Sequence, residues 1–481
     1  MRAEQRRLAL GAVALFVVLA VVYTASIGLR ATRGASITGD EPFYLLTTQS
    51  LLDDGDIDLR QQYERASYRA FFDHPEPLWR QAPPRPDGRL LSPHDPGLSV
   101  YLVPGFAVGG LRGAQVEMLL TAAAGFALAF VLIARETGTS RLAWLATLAV
   151  GLTATAFVYA TEIYPEVPAA LCLVLALLVL RAPVVTTSHA VGLAVLVTAL
   201  AWFGVKYVPL GVLVAAVAMW RGDTRGRLWL IGLGAVSGIA YVWWHLATFG
   251  GLTAYGANNV YAGEATVEVV RAHLSVSDRA YRLVGLFVDR RFGLGRWAPV
   301  LLLAVPVLPL RVRRGRVGTL VATLIGVQIM IATFVAVTMM GWWFPGRTLM
   351  AVLPLMAWPL TEVLVRLPVW GRAVVGGLAA YSMLLTLALT RASRASEVRL
   401  AVDPFDMTSI WFQAPAGLFP DYRAWTLETT MLHACWLTVG LGALGWVFWR
   451  EYGTTVRRRL PRAGVAQTDR DVPSVGARMR G

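Results

Sequence analysis

Long apolar stretches separated by short polar segments run along most of the chain. The stretches with few or no charged residues are 8–29, 116–134, 142–161, 167–180, 228–249, 317–340, 349–365, 374–390 and 431–449. Because the hydrocarbon core of a bilayer is spanned by about 20 helical residues, most of these stretches are long enough to cross it. The core of a soluble helical protein does not need so many of them. The pattern therefore predicts an all-α polytopic membrane protein.

Arginine-rich segments between the apolar stretches predict the topology. They lie at 2–7, 135–141, 221–227, 311–316, 366–372 and 457–459. Short cytoplasmic loops carry an excess of Lys and Arg, so each pair of these segments should be separated by an even number of crossings. The plasma membrane would then be crossed several times, with both termini in the cytoplasm. The first stretch is interpreted as an uncleaved signal anchor because it is long for a signal peptide.

This rule, that an even number of crossings separates any two arginine-rich segments, also decides whether two ambiguous segments cross the membrane. We call it the parity rule. The stretch 97–111 is short and contains Pro104 and several glycines, so we interpret it as re-entrant or interfacial. Residues 189–220 must cross twice, which predicts a helical hairpin whose tip, 204–209, faces protein or a water-filled cavity. In total, about twelve transmembrane helices are predicted.

The chain is predicted to have one transmembrane domain, 1–449, and a basic cytoplasmic tail, 450–481, whose composition indicates disorder. Three longer polar segments, 30–96, 250–296 and 391–428, are expected on the outer side. Chemistry is expected in these outer segments, since binding and catalytic groups concentrate on loops.

Composition and charge exclude some classes of function. Hydrophobic residues make up 56% of the 481 residues and the formal net charge is +14. The basic residues lie between the spans instead of on one domain or helix face, which argues against a nucleic-acid partner. Cys172 and Cys435 both lie in apolar stretches, so neither a disulfide framework nor a metal cluster is indicated.

Asp40 and Glu41 follow the first apolar stretch closely. Two carboxylates at a membrane boundary can act as a general base toward a hydroxyl group or bind a cation. The alternative is that they cap the helix that begins near Pro42. Leu45 and Leu46 of that helix are expected to lie on the membrane.

Further charged residues are expected at the same face. Glu166 begins an apolar stretch, where an acid also complements the helix dipole. Lys206, the only lysine of the chain, lies in the hairpin tip and needs an anionic partner. Arg347 has the planar fork that suits a phosphate, and Arg296 adds a cation that lipid headgroups would also explain. His94 is either a ligand contact or a turn residue.

Several motifs together resemble the GT-C superfamily of membrane glycosyltransferases that use lipid-linked sugars, and particularly its protein O-mannosyltransferase and aminoarabinose-transferase branch. The likeness is carried by Gly-Asp-Glu-Pro-Phe-Tyr-Leu at 39–45, Ser-Pro-His-Asp-Pro-Gly at 92–97, Tyr-Pro-Glu at 164–166 and Pro-Gly-Arg at 345–347. It implies a GT-C-like bundle with short amphipathic helices in the outer loops. The chain departs from the pattern by having Glu166 where some relatives have Asp.

The resemblance implies an inverting glycosyltransferase that moves a sugar from a polyprenyl-phosphate carrier to a glycan, lipid or protein acceptor on the extracytoplasmic face. Asp40 would be the base, with Glu41 and Glu166 as accompanying acids. The residues expected to bind the donor phosphate are Lys206, Arg347 and Arg296, and those expected to contact substrate are Tyr44, His94, Tyr164 and Trp343. Asp40, Glu166 and either His94 or His245 could ligate a divalent cation, although no residue spacing demands one.

The alternative function is a transporter or flippase of a lipid-linked or anionic solute. Such a protein would use the same cations near the membrane without bond chemistry. The chain shows no internal repeat, which disfavours the transporters built from repeats.

Overall fold

The computed structural model describes residues 2–256, 276–313, 315–336 and 338–459, and its regular elements there are helical. The α-helices are α1 (Arg2–Tyr23), α2 (Glu41–Asp53), α3 (Arg60–Glu64), α4 (Gly97–Tyr101), α5 (Val103–Thr137), α6 (Ser140–Gly151), α7 (Ala154–Tyr159), α8 (Glu166–Val179), α9 (Thr187–Phe203), α10 (Val208–Arg221), α11 (Thr224–Phe249), α12 (Arg282–Val288), α13 (Leu294–Trp297), α14 (Arg316–Met330), α15 (Ala357–Arg366), α16 (Val369–Arg394), α17 (Ile410–Gln413) and α18 (Leu427–Arg459). Within these ranges there is no β-strand, only an isolated bridge between Val185 and Gly222.

Within the described ranges, seven helices are long and apolar enough to cross a membrane. They are Ala3–Ser26, Val103–Thr137, Thr224–Phe249, Arg316–Val335, Arg347–Arg366, Val369–Arg394 and Leu427–Arg450. Shorter apolar helices at Glu166–Val179, Thr187–Phe203 and Pro299–Pro309 accompany them. The predicted fold class, an all-α polytopic membrane protein, is confirmed. The count of about twelve crossings also includes shorter or broken helices and stays a prediction.

Helix α1 illustrates how these apolar helices are placed. Leu15 and Leu19 are fully buried, and they follow the 3.6-residue period that puts residues four apart on one face. This face packs on α5, and Tyr23 donates a hydrogen bond to the carbonyl of Gly151 at 2.8 Å. Val13 and Val21 on other faces are exposed, at 59% and 64%. A helix that is apolar all round with one buried face fits a lipid surrounding.

Helix α5 reverses direction near its beginning. Gly109 and Gly110 have non-helical backbone angles, and the φ of Gly110 is +57°, which glycine adopts without strain. Beyond this turn, the Glu117 carboxylate accepts a hydrogen bond from the backbone N–H of Gly105 at 2.9 Å. The first turns of α5 therefore fold back on its long part, which is the geometry expected of a re-entrant segment.

The predicted hairpin at 189–220 is confirmed. Helices α9 and α10 are joined by Gly204 and a 3-10 turn, Val205–Tyr207. At the opposite end of the hairpin, the backbone N–H of Val185 donates to the carbonyl of Arg221 at 3.1 Å. Lys206 is thereby held at the tip, where two apolar helices end.

The expected position of α2 is corrected. Leu45 and Leu46 are fully buried in the protein core, so this helix does not lie on the membrane with these side chains. Thr48 and Ser99 link α2 to α4, because the Thr48 hydroxyl donates to the Ser99 carbonyl at 3.0 Å. The outer segment 30–96 thus packs into the bundle. Part of the segment 250–296 and residues 460–481 of the tail lie outside the described residues.

Candidate functional site

Four charged side chains from distant parts of the sequence meet at one end of the bundle. We call Asp40, Glu166, Lys206 and Arg347 the charge cluster. Asp40 precedes α2, Glu166 is the first residue of α8, Lys206 lies in the tip between α9 and α10, and Arg347 begins an apolar helix that extends to Arg366. Each of them therefore lies at the end of an apolar helix or in the connection that follows one.

Arg347 bridges the two acids of the charge cluster. Its Nη2 donates to Asp40 Oδ2 at 2.8 Å and its Nε donates to Glu166 Oε1 at 3.2 Å. Lys206 Nζ donates to the same Glu166 oxygen at 2.6 Å. Exposure of the side chains falls from 38% at Lys206 through 28% at Asp40 and 11% at Arg347 to 3% at Glu166. The two positive and two negative charges balance, with Glu166 deepest.

The turn before Arg347 is held by hydrogen bonds from α7. Thr155 donates to the Pro345 carbonyl at 3.2 Å, and Tyr159 donates to the Phe344 carbonyl. Gly346 has φ +91°, and a Cβ there would lie 2.7 Å from a Thr155 carbon, so glycine is required. The Arg347 guanidinium lies over the Tyr164 ring, 3.8 Å from its centroid. Cation–π attraction and the turn together set the direction of the fork.

Asp40 occupies the N-cap position of α2 but does not cap it. Its side chain makes no capping hydrogen bond and pairs with Arg347 instead, so the capping interpretation fails for this residue. Burial by itself raises the pKa of the Asp40 carboxyl, but the positive charge of Arg347 and its hydrogen bond outweigh burial and lower the pKa to about 2. Asp40 is therefore a carboxylate at neutral pH.

His94 and Tyr44 form the wall beside Asp40. Their rings are stacked with centroids 4.8 Å apart, and His94 Nε2 lies 3.7 Å from Asp40 Oδ1, beyond hydrogen-bond distance. Burial lowers the pKa of His94, which favours the neutral ring. Both residues were expected to contact substrate, and the structure brings them to the charge cluster.

Three buried polar atoms around the charge cluster have no hydrogen-bond partner among the described residues. They are His94 Nε2, Glu166 Oε2 and Tyr207 Oη. Buried polar groups are nearly always hydrogen-bonded, so unpaired ones call for an explanation such as an absent ligand. Their position around one set of charges is compatible with a polar ligand that approaches all three.

Glu41 lies behind Asp40 and outside the charge cluster. Its carboxylate accepts hydrogen bonds from the backbone N–H groups of Thr38 and Ile163, both at 3.0 Å. It thus joins the first outer segment to the tip before α8. Burial raises the pKa of Glu41 to about 7 despite these bonds. Its neighbour Glu162 is also buried, and burial followed by the charge of Glu41 raises the pKa of Glu162 well above its usual value.

The structure does not bring Arg296 to the charge cluster. Its guanidinium donates to the Phe412 carbonyl and stacks on the Phe412 ring, 3.7 Å from the centroid. Burial, helped by the positive charge of Arg290, lowers the pKa of Arg296 to about 10. Trp343, by contrast, lies near the cluster, with its ring centroid 5.3 Å from the Arg347 guanidinium.

Some neighbours of the site were not predicted from the sequence. Tyr207 was overlooked although it follows Lys206 directly. Asp95 forms a buried pair with His245, whose Nε2 lies 2.7 Å from Asp95 Oδ1. This pair attaches the end of α11 to the segment that carries His94. The only signal for it was an acid next to a histidine, which many surface turns share.

The arrangement has the parts of a displacement reaction on a phosphate ester. Cations in a partly buried site stabilise negative charge that develops on a leaving phosphate, and a nearby carboxylate can accept a proton from an attacking hydroxyl. Both kinds of group lie here within one set of contacts.

No family model and no curated protein matches the chain. Among solved structures, the crystal structure of ArnT from Cupriavidus metallidurans in the apo state is 16% identical, with 91% of this chain and 77% of that chain covered and a TM-score of 0.48. The structure of the same protein bound to undecaprenyl phosphate is 14% identical, with 93% and 81% covered and a TM-score of 0.46.

Proposed function

We propose that the protein is a membrane glycosyltransferase that moves a sugar from a polyprenyl-phosphate carrier to an acceptor hydroxyl on the extracytoplasmic face. The observation that carries this proposal is the charge cluster, in which Arg347 bridges Asp40 and Glu166 beside unpaired buried polar atoms. Residues 1–449 would form the catalytic domain, with both termini in the cytoplasm.

The site must exchange partners when the donor binds. In the unliganded protein both cations are already paired with carboxylates, so a phosphate has to take up contacts now made by Asp40 and Glu166. Lys206 is the more exposed cation and meets the phosphate first. A phosphate on Arg347 would weaken its bond to Asp40, and the pKa of Asp40 would rise from about 2 toward its ordinary value. Donor binding therefore turns a weak base into a stronger one.

The transfer is a single displacement. The acceptor oxygen attacks the anomeric carbon of the sugar and forms the new bond there. The bond between that carbon and the phosphate oxygen breaks, and its electron pair stays on the polyprenyl phosphate, where Lys206 and Arg347 stabilise the charge. The proton of the acceptor hydroxyl passes to Asp40. Attack from the side opposite the phosphate inverts the anomeric configuration.

The position of the charge cluster suits a donor with a long apolar tail. Because its members lie at the ends of apolar helices, a phosphate held there leaves the polyprenyl chain free to stay in the hydrocarbon. Undecaprenyl phosphate, bound in one of the two crystal structures above, belongs to this lipid class. The proposal rests on the charge cluster of this chain and not on that likeness.

The test is transfer by the purified full-length protein in detergent. Polyprenyl phosphates carrying a radiolabelled hexose or pentose are incubated with a membrane extract as the source of acceptors, and labelled product is separated from donor. We expect transfer by the wild type and a loss of about 100-fold or more for Asp40→Asn, since general-base catalysis contributes roughly 10²- to 10⁴-fold. Asp53→Asn, the same substitution at the exposed end of α2, is the matched control.

Full transfer by Asp40→Asn would refute its role as base, and Glu166→Gln would then be the next variant to assay. The transporter alternative makes a different prediction for the same experiment. A flippase moves its substrate across a bilayer without breaking a bond, so no labelled product forms in detergent with any donor.

A further inference from the structure

A second polar site lies behind the charge cluster. The lining of a small cavity includes the polar residues Glu41, Glu162, Thr161, Ser26 and Gln115 and several apolar residues, among them Leu400. These residues come from the end of α1, the first outer segment, α5 and the tip before α8, and Leu400 from the segment that follows α16. The cavity therefore lies where five parts of the chain meet.

The two acids in this cavity form no ion pair with any cation of the described residues. Among the residues that the structure describes, no Lys, Arg or His nitrogen lies within 4 Å of the Glu41 or Glu162 carboxylate, as the ion pairs of Arg347 and Lys206 go to other acids. Glu162 is 8% exposed, and its buried Oε2 has no hydrogen-bond partner in the described part of the chain. Two buried carboxylates without a positive charge are strongly disfavoured.

The free ligand atoms in the cavity are oxygens. Ser26 Oγ donates to the Tyr23 carbonyl at 2.8 Å, so its hydrogen bond with Thr161 Oγ1, also 2.8 Å, is donated by Thr161. The lone pairs of Thr161 Oγ1 not facing Ser26 remain available. Each Glu41 oxygen accepts only one N–H and keeps a second lone pair, and Glu162 Oε2 is free. Carboxylate and hydroxyl oxygens are the ligands of hard cations such as Mg²⁺, Ca²⁺ and Mn²⁺.

The charges of the whole region point the same way. The region contains the acids Asp40, Glu41, Glu162 and Glu166 and the cations Lys206 and Arg347. The charge cluster is balanced by itself, so ionisation of Glu41 and Glu162 would add two negative charges that no ion pair compensates. A single divalent ion would balance them, and this need grows when a phosphate enters the neighbouring site.

We propose that Glu41 and Glu162 bind one hard divalent cation in this cavity, with Thr161 and Gln115 as further oxygen ligands. No group of three His, Cys, Asp or Glu side chains that could hold a metal ion lies among the described residues, so this site would rely on two carboxylates completed by the oxygens of Thr161 and Gln115. The ion would fasten the first outer segment to the tip before α8 and so hold Asp40 and Glu166 at a constant separation. Its binding does not depend on the proposed transfer reaction, and it is measured without any sugar donor.

The test uses Mn²⁺ as a paramagnetic probe. Full-length protein in detergent is treated with EDTA, the chelator is removed, and free Mn²⁺ is counted by its electron paramagnetic resonance signal during titration. We expect one Mn²⁺ per chain that Ca²⁺ or Mg²⁺ displaces. Glu162→Gln should weaken this binding at least tenfold, Glu162→Asp should weaken it less because the charge remains, and the exposed Glu64→Gln on α3 should leave it unchanged.

Thermal unfolding with and without the ion provides a second measurement. The wild type should unfold at a higher temperature in Mn²⁺ or Ca²⁺, and Glu162→Gln should lose this shift, because an ion that binds only the folded state stabilises it. If the wild type binds no Mn²⁺, the two acids share a proton instead and the proposal is overturned. This outcome is measured on the wild type alone, so it does not depend on whether Glu162→Gln folds. Binding that Glu162→Gln leaves intact but Asp40→Asn abolishes would place the ion in the charge cluster and would also overturn it.

Discussion

The bridge made by Arg347 offers the sharpest test of the site, because its two nitrogens serve different carboxylates. Nη2 contacts Asp40 at 2.8 Å and Nε contacts Glu166 at 3.2 Å. Arg347→Lys keeps the positive charge but replaces a planar fork with one ammonium group on a flexible stem. The ammonium can hold one of the two acids in good geometry but not both, so the substitution removes one charge-assisted hydrogen bond.

The expected magnitude follows from that single bond. A hydrogen bond to a charged group contributes about 1.5–3 kcal/mol. If the same fork holds the donor phosphate during transfer, kcat/KM should fall roughly 10- to 150-fold, since about 1.4 kcal/mol corresponds to a factor of ten. Arg347→Met should be worse, because it leaves Asp40 without its ion-pair partner and Glu166 with Lys206 alone, and removing one member of a buried ion pair costs about 3–5 kcal/mol in stability.

The assay measures transfer from a radiolabelled polyprenyl-phosphate sugar by protein whose folding has been checked by its melting temperature. Arg366→Lys is the matched control, because it makes the same substitution at the other end of the same apolar helix, where Arg366 pairs with Glu362. Transfer by Arg347→Lys within about twofold of the wild type, at equal melting temperature, would show that the fork geometry has no part in the reaction.

Three further changes test the surroundings of the bridge. Because the pKa of Asp40 is lowered in the folded protein, its ion pair stabilises the fold fully above the unfolded-state pKa of 3.8, and this stabilisation is lost as the pH falls toward about 2. The melting-temperature difference between Asp40→Asn and the wild type should therefore stay constant from pH 8 to pH 5. A difference that shrinks over this range would contradict the ion pair. Tyr164→Leu removes the ring under Arg347 and should lower kcat/KM by about 30-fold, since a desolvated cation–π contact contributes about 2 kcal/mol. An unchanged kcat/KM would mean that the ring only fills space. His245→Leu leaves the Asp95 carboxylate without its buried partner and should lower the unfolding free energy by about 3–5 kcal/mol in denaturant titrations. The double variant with Asp95→Asn should lose less than the sum of the two single variants, because both changes remove the same interaction. Additive losses would argue against the pair.

Much of the fold could be predicted from the sequence because the membrane imposes simple rules. Apolar length predicts which segments cross, and arginine-rich loops predict which ends lie together. The hairpin of α9 and α10 followed from parity alone and is present in the structure. The same reasoning placed Asp40, Glu166, Lys206 and Arg347 at one face, and the structure joins these four through ion pairs.

What the sequence could not predict is the rotation of helices and the packing of loops. Parity tells on which side a residue lies, but not which way its side chain points. Asp40 and Glu41 are adjacent, yet one faces Arg347 and the other faces Ile163. For α2, the apolar residues Leu45 and Leu46 fit a membrane surface or a protein core equally well in sequence, and the structure places them in the core. Only the tertiary contacts of the outer segment decide between the two.

Lys206 is paired with a carboxylate of the protein itself, and not only with the charged substrate that the sequence predicts for it. A lone lysine among apolar helices requires an anion, and the resemblance to lipid-linked-sugar transferases implies a donor phosphate in that place. The same rule applies to the protein before any donor arrives, because a buried charge must also be compensated in the resting state. Glu166 meets this requirement at 2.6 Å, and Arg347 is compensated in the same way. Residues chosen to hold a charged substrate must therefore be expected to hold each other in its absence, and the strength of those resting ion pairs limits how tightly the substrate can bind.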